Sequence, residues 1–542
     1  MSPLHHGDRE LSLDVGKSIF DYADSLRVRV PTSCGRTGEC HECIVEIRRG
    51  KEALAPATES EGFLRDNYRL ACQATIVDSD ADVEFALLRR QPKILSESVR
   101  RDVKPDPLTV RRGDAVYFRD ERVDEYRGRI LGIAIDIGTT TVVMDLVDLE
   151  TGGVIYTASF ENPQRFGGSD IMHRISYDGG EFGGELQKVM ISGVNYEIRE
   201  MCRRLRLRQR TIYEIVIVGN STMRDLFFGL DVQSIGEKPY KSVVQHEMEA
   251  GKRNTTAFNV MAKELGLRVF PGANVYAGPL ISSHVGADVA ADLLAIGMDQ
   301  QEDVVMLVDV GTNTEVVVGN RHNLMAASCP AGPAFEGGQI TYGMPGYDGA
   351  VEQINLVNGS VEYRTISDRP PQGICGSGLI DLLAELRRTD QMNELGVFED
   401  GGNEFFFVPE KRMSLSRADI SALAQAKAAN YCGQWIVLRN YGFPLDKIKR
   451  LYLAGGFANY INVENAMRIG FIPNLPLDKV VKVGNASLAG AAILLISGEL
   501  RSKLEGMVRS IRHIELETTT DFFEIFVEGC MFNPMKASLD EH

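Results

Sequence analysis

The chain has no run of about 18 uninterrupted apolar residues, the minimum for a membrane-spanning helix. Its first ten residues are polar and lack the charged-then-apolar pattern of a secretory signal. Cations are in deficit: 59 Lys and Arg stand against 75 Asp and Glu, a formal charge of −16 over 542 residues. That balance repels phosphate backbones and anionic membrane surfaces, so neither nucleic acid nor membrane is an expected partner. The one basic concentration, Arg203 to Arg210, reads as the solvated face of a helix. A cytoplasmic protein is the expectation, and in that compartment paired disulfides are uncommon. The nine cysteines are therefore read as metal ligands, redox groups or small core residues.

Four cysteines fall early: Cys34, Cys40 and Cys43 in a C-x5-C-x2-C spacing, then Cys72. A [2Fe–2S] cluster takes four thiolates, and plant-type ferredoxins supply them as C-x4-C-x2-C…C. The extra residue here resembles the adrenodoxin-like form of that pattern. Between the ligands, Gly35 and Gly38 let backbone N–H groups turn toward sulfur. A short helix is expected over 19–26 and a strand over 44–47. The competing reading is a structural zinc site, but zinc ribbons place their thiolates in two C-x2-C pairs, and Cys72 stands alone.

Residues 92–130 are charge-rich, carry Pro92, Pro105 and Pro107, and read as an extended tether with a small hairpin near 110–118. Beyond it, an apolar strand ends at Asp136, Gly138, Thr139, Thr140 and Thr141, and the pattern returns at Asp309, Gly311, Thr312, Asn313 and Thr314. Each copy leads into another apolar strand, so the duplication predicts two similar lobes. It is not a Walker loop, which opens a helix after G-x4-G-K-[ST]. Glycine lets the backbone approach phosphate closely, and a nest of amides and hydroxyls holds the anion. The aspartates cannot hold phosphate; Asp136 and Asp309 are placed to orient waters on a phosphate-bound Mg²⁺.

A third element, Gly455, Gly456, Phe457 and Asn459 after an apolar strand, matches the pattern with which actin-like kinases and ATPases let adenosine lie against backbone. Gly376 and Ser377 open a further helix, with Ser377 a candidate N-cap. Glu315 and Asp288 are rival candidates for positioning the attacking water, and Glu315 also has a supporting-role reading. Trp435 and the capped helix beginning near Ser416 and Asp419 are expected core.

The match then extends past the superfamily. The thiolate module, the two phosphate motifs, Asn162-Pro163-Gln164, Val218-Gly219-Asn220, the run from Ala331 to Gly337, the run from Gly373 to Gly378, Ala454 to Phe457, and Val483 to Ala486 together resemble the reductive activators of corrinoid proteins, in order along nearly the whole chain. The resemblance implies a β-grasp [2Fe–2S] ferredoxin domain (1–91), a linker (92–130), and an α/β actin-like ATPase with lobes at 131–300 and 301–542. It implies ATP and Mg²⁺ as cofactors and a corrinoid protein of a methyltransferase system as partner. An external low-potential electron donor completes the scheme, and a homodimer is compatible with the fold. The implied reaction is ATP-dependent return of Co(II) to Co(I). The loop 327–333 keeps two readings: a lobe-packing turn, or a surface on which Ser328 faces the partner's corrinoid. Two other functions compete. One is an actin-like small-molecule kinase with a redox-sensing cluster. The other is the ATP-driven activator of 2-hydroxyacyl-CoA dehydratases, whose family holds a [4Fe–4S] cluster between subunits, without a separate N-terminal ferredoxin.

Overall fold

The computed structural model describes residues 3–7, 9–88, 101–456 and 458–535. Phe457 and positions 92–100 of the expected tether lie outside the described residues.

The N-terminal unit is a five-stranded sheet in the order Arg9–Ser12, Pro3–His6, Val83–Leu87, Ile44–Arg49, Tyr68–Leu70. Pro3–His6 runs parallel to Val83–Leu87, and helix Ile19–Ser25 crosses between them in sequence. Ser18 starts that helix with a capping box to Asp21, and Ile19, Phe20, Tyr22 and Ala23 turn its apolar side into the core. This is a β-grasp.

The stretch expected as a tether is folded over much of its length. Thr109–Arg112, Ala115–Phe118 and Glu121–Glu125 form an antiparallel meander, one strand more than the expected hairpin. It is fixed to the body: Thr109 Oγ1 donates to Glu214 (2.8 Å), Tyr213 donates to Asp124 (3.0 Å), and Val116 is fully buried. Charge-rich composition hid this, because only alternate residues of a surface meander need be apolar.

Two six-stranded sheets carry the duplication. The first has the order Val154–Glu161, Thr141–Asp148, Leu131–Ile137, Ile212–Gly219, Asn274–Ala277, Phe258–Met261. The second has Val480–Gly484, Leu451–Ala454, Val305–Val310, Thr314–Asn320, Asn323–Cys329, Arg512–His513. In each, three antiparallel strands follow one another, and a parallel strand then joins the outer edge of the first. Asp136 and Asp309 thus end equivalent strands. This repeated unit is the actin-like architecture.

Division of the body at 300/301 separates the sheets but not the packing. Helices Ala486–Ile496 and Gly498–Val508 lie in sequence between two strands of the second sheet, Val480–Gly484 and Arg512–His513, yet return to the first: Leu495 touches Gly132, and buried Arg501 pairs with buried Glu214 at 2.8 Å. A Cβ on Gly490 would lie 2.0 Å from the carbonyl of Ala291, so helix Ala486–Ile496 meets helix Ala287–Ala295 backbone to backbone. The interface between the lobes is built from this contact.

The N-terminal unit lies against the first lobe. His41 stacks on Phe63 at 4.0 Å, Phe63 meets Phe166, and Phe166 meets Tyr177 edge-on. The Tyr177 hydroxyl donates to the Phe63 carbonyl at 2.6 Å.

Candidate active site

The thiolate pocket assembles from two separated pieces of chain. Cys34, Cys40 and Cys43 come from the loop after the first helix, and Cys72 follows strand Tyr68–Leu70. Cys43 and Cys72 have their sulfurs 3.4 Å apart, and Cys34 is hydrogen-bonded to Cys40. Burial works against the Cys34 thiolate, but hydrogen bonds from Thr37, Cys40 and the Gly38 backbone outweigh it and bring the thiol down to about 5. Cys72 falls to about 7, chiefly through Cys43, with Gln73 donating to its sulfur at 3.4 Å. Cys43 is pushed up by the hydrogen bond it gives Cys72 and by burial. Among the described residues no group of His, Cys, Asp or Glu is arranged to hold a single metal ion. Four sulfurs in two close pairs, fed by backbone and side-chain donors, fit a binuclear iron–sulfur group instead.

The segment that carries Cys72 is positioned by a buried ion pair. Arg69 meets Glu61 at 2.7 Å, and Glu61 also accepts from the backbones of Leu70 and Thr58, both at 2.9 Å. Truncating one partner of such a pair leaves the other charge buried and typically costs about 3–5 kcal/mol. Glu61→Ala should therefore lower the first melting transition and speed loss of visible cluster absorbance to a chelator. Retention of both properties at the parental level would refute this positioning role.

The second site is a cavity of about 260 Å³ between the lobes. It brings together Asp136, Gly138, Thr139, Thr140, Asp288, Asp309, Gly311, Thr312, Asn313, Glu315, Gly376, Ser377, Gly455 and Gly456. Asn459 is not on its wall; the neighbouring Tyr460 is, while the Asn459 carbonyl accepts from Lys482 at 3.1 Å. Ser377 is not the N-cap of helix Gly376–Arg388. Cys375 holds that place, and the Ser377 hydroxyl donates to the Glu352 carbonyl at 2.9 Å. A residue already inside the first turn has a helical backbone and is free to reach a neighbouring strand.

Glycine is required at Gly455, where φ is +103° and a Cβ would sit 2.2 Å from the Val310 carbonyl and 2.9 Å from Asp309. At Gly456 a Cβ would meet no protein atom within 4 Å. The space there is open to a ligand, which is how glycine permits close approach of backbone to a bound molecule.

Carboxylates crowd one end of the cavity. Asp309 pairs across the sheet with Glu315, and Ser328 donates to Glu315 at 3.0 Å. Burial lifts Asp136 to about 7, with Asn485 opposing and Asp309 adding, and lifts Asp309 to about 6. Burial and the neighbouring aspartates raise Asp288, Asp292 and Glu315 as well. Asp292 was not anticipated. It shares a helix face with Asp288 at i+4, a like-charge spacing that an isolated helix disfavours and that was the available signal.

Three further residues brace the cleft, the first two from lobe to lobe. Asn485 donates to Asp136 at 2.9 Å. Glu336 accepts from both Thr140 (3.0 Å) and Thr312 (2.7 Å), one hydroxyl from each phosphate loop. Asn220 donates to the Thr139 hydroxyl at 3.3 Å. All three lie in segments that carried the resemblance, but no local spacing marks them as site residues. The first loop is also held from behind: fully buried Arg174 donates to the Thr139 carbonyl at 2.6 Å. Arg174 is one turn from Tyr177, so one short helix touches both the first loop of the cleft and the N-terminal unit, the latter at Phe63.

The raised aspartates fix a pH dependence. Between about 4 and 7, Asp136 is protonated in the folded cleft but ionised in the unfolded chain. The folded state then binds more protons, so stability of the ligand-free protein falls as pH rises through this window. A divalent cation reverses the penalty and releases protons. The melting-temperature gain from MgADP should therefore be larger at pH 8 than at pH 5.5. An equal gain at both would show that these carboxylates do not respond to the metal.

A model described as the RACo middle region matches residues 131–301, and one described as the C-terminal domain of RACo, the ASKHA domain, matches 303–542. The chain belongs to the RACo family. A model of the 2Fe-2S iron-sulfur cluster binding domain matches 4–77. Among curated relatives of the family, the chain is 28% identical to a corrinoid activation enzyme, RamQ, of Eubacterium limosum, over 97% of this chain and 98% of that one. It is 22% identical to the [Co(II) methylated amine-specific corrinoid protein] reductase of Methanosarcina barkeri, over 73% and 76%. A solved structure, the reductive activator for corrinoid, iron-sulfur protein, superposes over the full length of both chains with a TM-score of 0.72 at 28% identity.

Proposed function

We propose that this protein is an ATP-dependent iron–sulfur reductase that returns a corrinoid protein from Co(II) to Co(I), one electron at a time. The observation that carries the reading is the presence, in one chain, of a four-thiolate pocket and a two-lobed cleft, with one short helix bracing both the first loop of the cleft and the N-terminal unit that holds the thiolates. The names of the family relatives support it. A kinase has no need of the first site, and a plain ferredoxin has no need of the second.

Cys34, Cys40, Cys43 and Cys72 hold the [2Fe–2S] group, which when bound supplies a one-electron donor near −400 mV, the range of plant-type ferredoxins. The backbones of 138–141 and 311–313, with the hydroxyls of Thr139, Thr140 and Thr312, bind the phosphates of ATP. Asp136 and Asp309 orient the water shell of a phosphate-bound Mg²⁺, since Mg²⁺ keeps several waters and needs only one or two carboxylates. Gly455, Gly456 and Tyr460 face the adenosine. Glu315 and Asp288 face the terminal phosphate, and their raised affinity for protons suits a group that accepts one from water. If cobalt lies ~100 mV below the donor, one-electron transfer is disfavoured about 50-fold. Lobe closure on ATP is the means of overcoming that factor. We assign the protein to the cytoplasm, with an external low-potential donor.

The test is anaerobic. Reduced protein is mixed with a Co(II) corrinoid methyl carrier, and the Co(I) absorption band is followed with and without MgATP. Multiple turnovers of Co(I) only with MgATP support the reading. Transfer of phosphate to a small molecule while cobalt stays Co(II) would replace it with the kinase.

A further inference from the structure

One strongly basic segment stands in this acidic chain, and neither site uses it. Residues 199–210 hold six arginines against one glutamate, although the whole chain carries −16. They form the end of helix Glu185–Leu205 and the turn beyond. Arginines at a helix C-terminus offset its negative end, which accounts for Arg203 and Arg204. It does not account for Arg206, Arg208 and Arg210, which lie past the helix.

Their arrangement is directional. Leu205 and Leu207 pack against the core, and the alternate residues Arg204, Arg206, Arg208 and Arg210 are exposed. Among the described residues, none of Arg206, Arg208 and Arg210 enters an ion pair. The one carboxylate of the segment, Glu200, is gripped by Arg203 at 2.7 Å and by Arg29 of the ferredoxin unit at 2.6 Å. The patch is therefore continuous with the redox module. Arg29 stands five residues before Cys34, so the two Cα atoms are at most about 18 Å apart.

We propose that this patch docks the protein that reduces the iron–sulfur group: a small, low-potential, one-electron carrier with an acidic surface. The inference rests on the iron–sulfur reading above. In the step served, one electron leaves the carrier's reduced centre and enters the oxidised [2Fe–2S] group, with no proton or bond transferred. An acidic carrier is repelled by the net negative charge of the molecule and attracted to this patch, which steers encounter to a face continuous with the redox module. A nucleic acid would share the attraction, but the remaining net negative charge opposes a longer phosphate track.

The test uses the full-length holoprotein and a reduced, acidic [4Fe–4S] ferredoxin in stopped flow. Arg204→Glu/Arg208→Glu/Arg210→Glu should slow cluster reduction on the order of 10- to 100-fold at low ionic strength. The difference should close as salt approaches about 0.5 M. Binding of the oxidised ferredoxin, measured by titration calorimetry, should weaken in parallel, and the corresponding triple Gln variant should lie between. Reduction by dithionite should stay within about twofold, showing an intact cluster. Unchanged rate and affinity in both variants would overturn the proposal. So would tighter binding of a duplex oligonucleotide than of ferredoxin, lost in the Glu variant. A wild-type protein that dithionite does not bleach would instead overturn the iron–sulfur reading itself.

Discussion

Cys40→Ala is expected to abolish Co(I) formation completely while leaving MgATP binding within about twofold of the parent. The binuclear group takes four thiolates, and no spare cysteine is within reach. Cys202, Cys329, Cys375 and Cys432 are buried in the body, Cys530 sits beside Lys427 and Cys432 in the second lobe, and burial pushes Cys202 up to about 11 and Cys432 up to about 12, away from thiolate. A missing ligand therefore cannot be replaced from nearby, and iron content should fall toward zero. Cys202→Ala serves as the contrast. It removes one sulfur from a packed core, costs about 1 kcal/mol, and leaves iron and activity intact. Iron content, visible absorption and the reduced-state electron paramagnetic resonance signal report the cluster independently of turnover. Full iron in Cys40→Ala would mean that the ligand set is wrong. Lost iron with retained Co(I) formation would mean that electrons bypass the module.

How much was legible beforehand follows the range of each signal. The thiolate spacing, the helix expected over 19–26 and the twin Asp-x-Gly-Thr turns are local, and each follows from a few adjacent residues. The duplication fixed the equivalence of Asp136 and Asp309, because strand-turn-strand sequences of the same pattern fold alike. What stayed hidden is long-range. Glu336 lies 24 residues from Thr312 and 196 from Thr140, and no periodicity spans that gap. Asn485 reaches Asp136 across 349 residues. The return of helix Ala486–Ile496 to the first sheet is a topological fact that its uniformly apolar sequence allows but does not specify. The tether was misread for a related reason: its meander is stabilised by the body's surface, at Glu214 and Tyr213, more than by its own composition. Phosphate-gripping backbone can be read from glycine and threonine; the side chains that clasp one lobe to the other cannot.

That division sharpens the second large effect. Asp309→Asn should slow ATP hydrolysis about 10²- to 10³-fold, the usual cost of removing one preorganised electrostatic group from a reacting centre. Asparagine keeps the shape and the hydrogen-bonding oxygen but cannot offset the charge of a metal. The same substitution should stabilise the empty protein. Asp309 is half-buried, desolvation raises its own affinity for protons, and its charge pushes up those of Asp136, Asp288, Asp292 and Glu315. Removing that charge relieves repulsion among all of them. The ligand-free melting temperature at pH 8 should therefore rise, by roughly 2–4 °C for each kcal/mol relieved, while the MgADP gain shrinks. Near pH 5, where these carboxylates are largely protonated in the cleft, the substitution should change the melting temperature little. Loss of activity with a higher melting temperature separates a metal-orienting carboxylate from a residue that merely holds the strand end, whose replacement would lower both. Glu315→Gln and Asp288→Asn then divide the remaining role. The one that loses the acidic limb of the hydrolysis rate–pH profile, with nucleotide affinity retained, is the group that takes the proton from water. If neither loses it, the terminal phosphate accepts that proton itself.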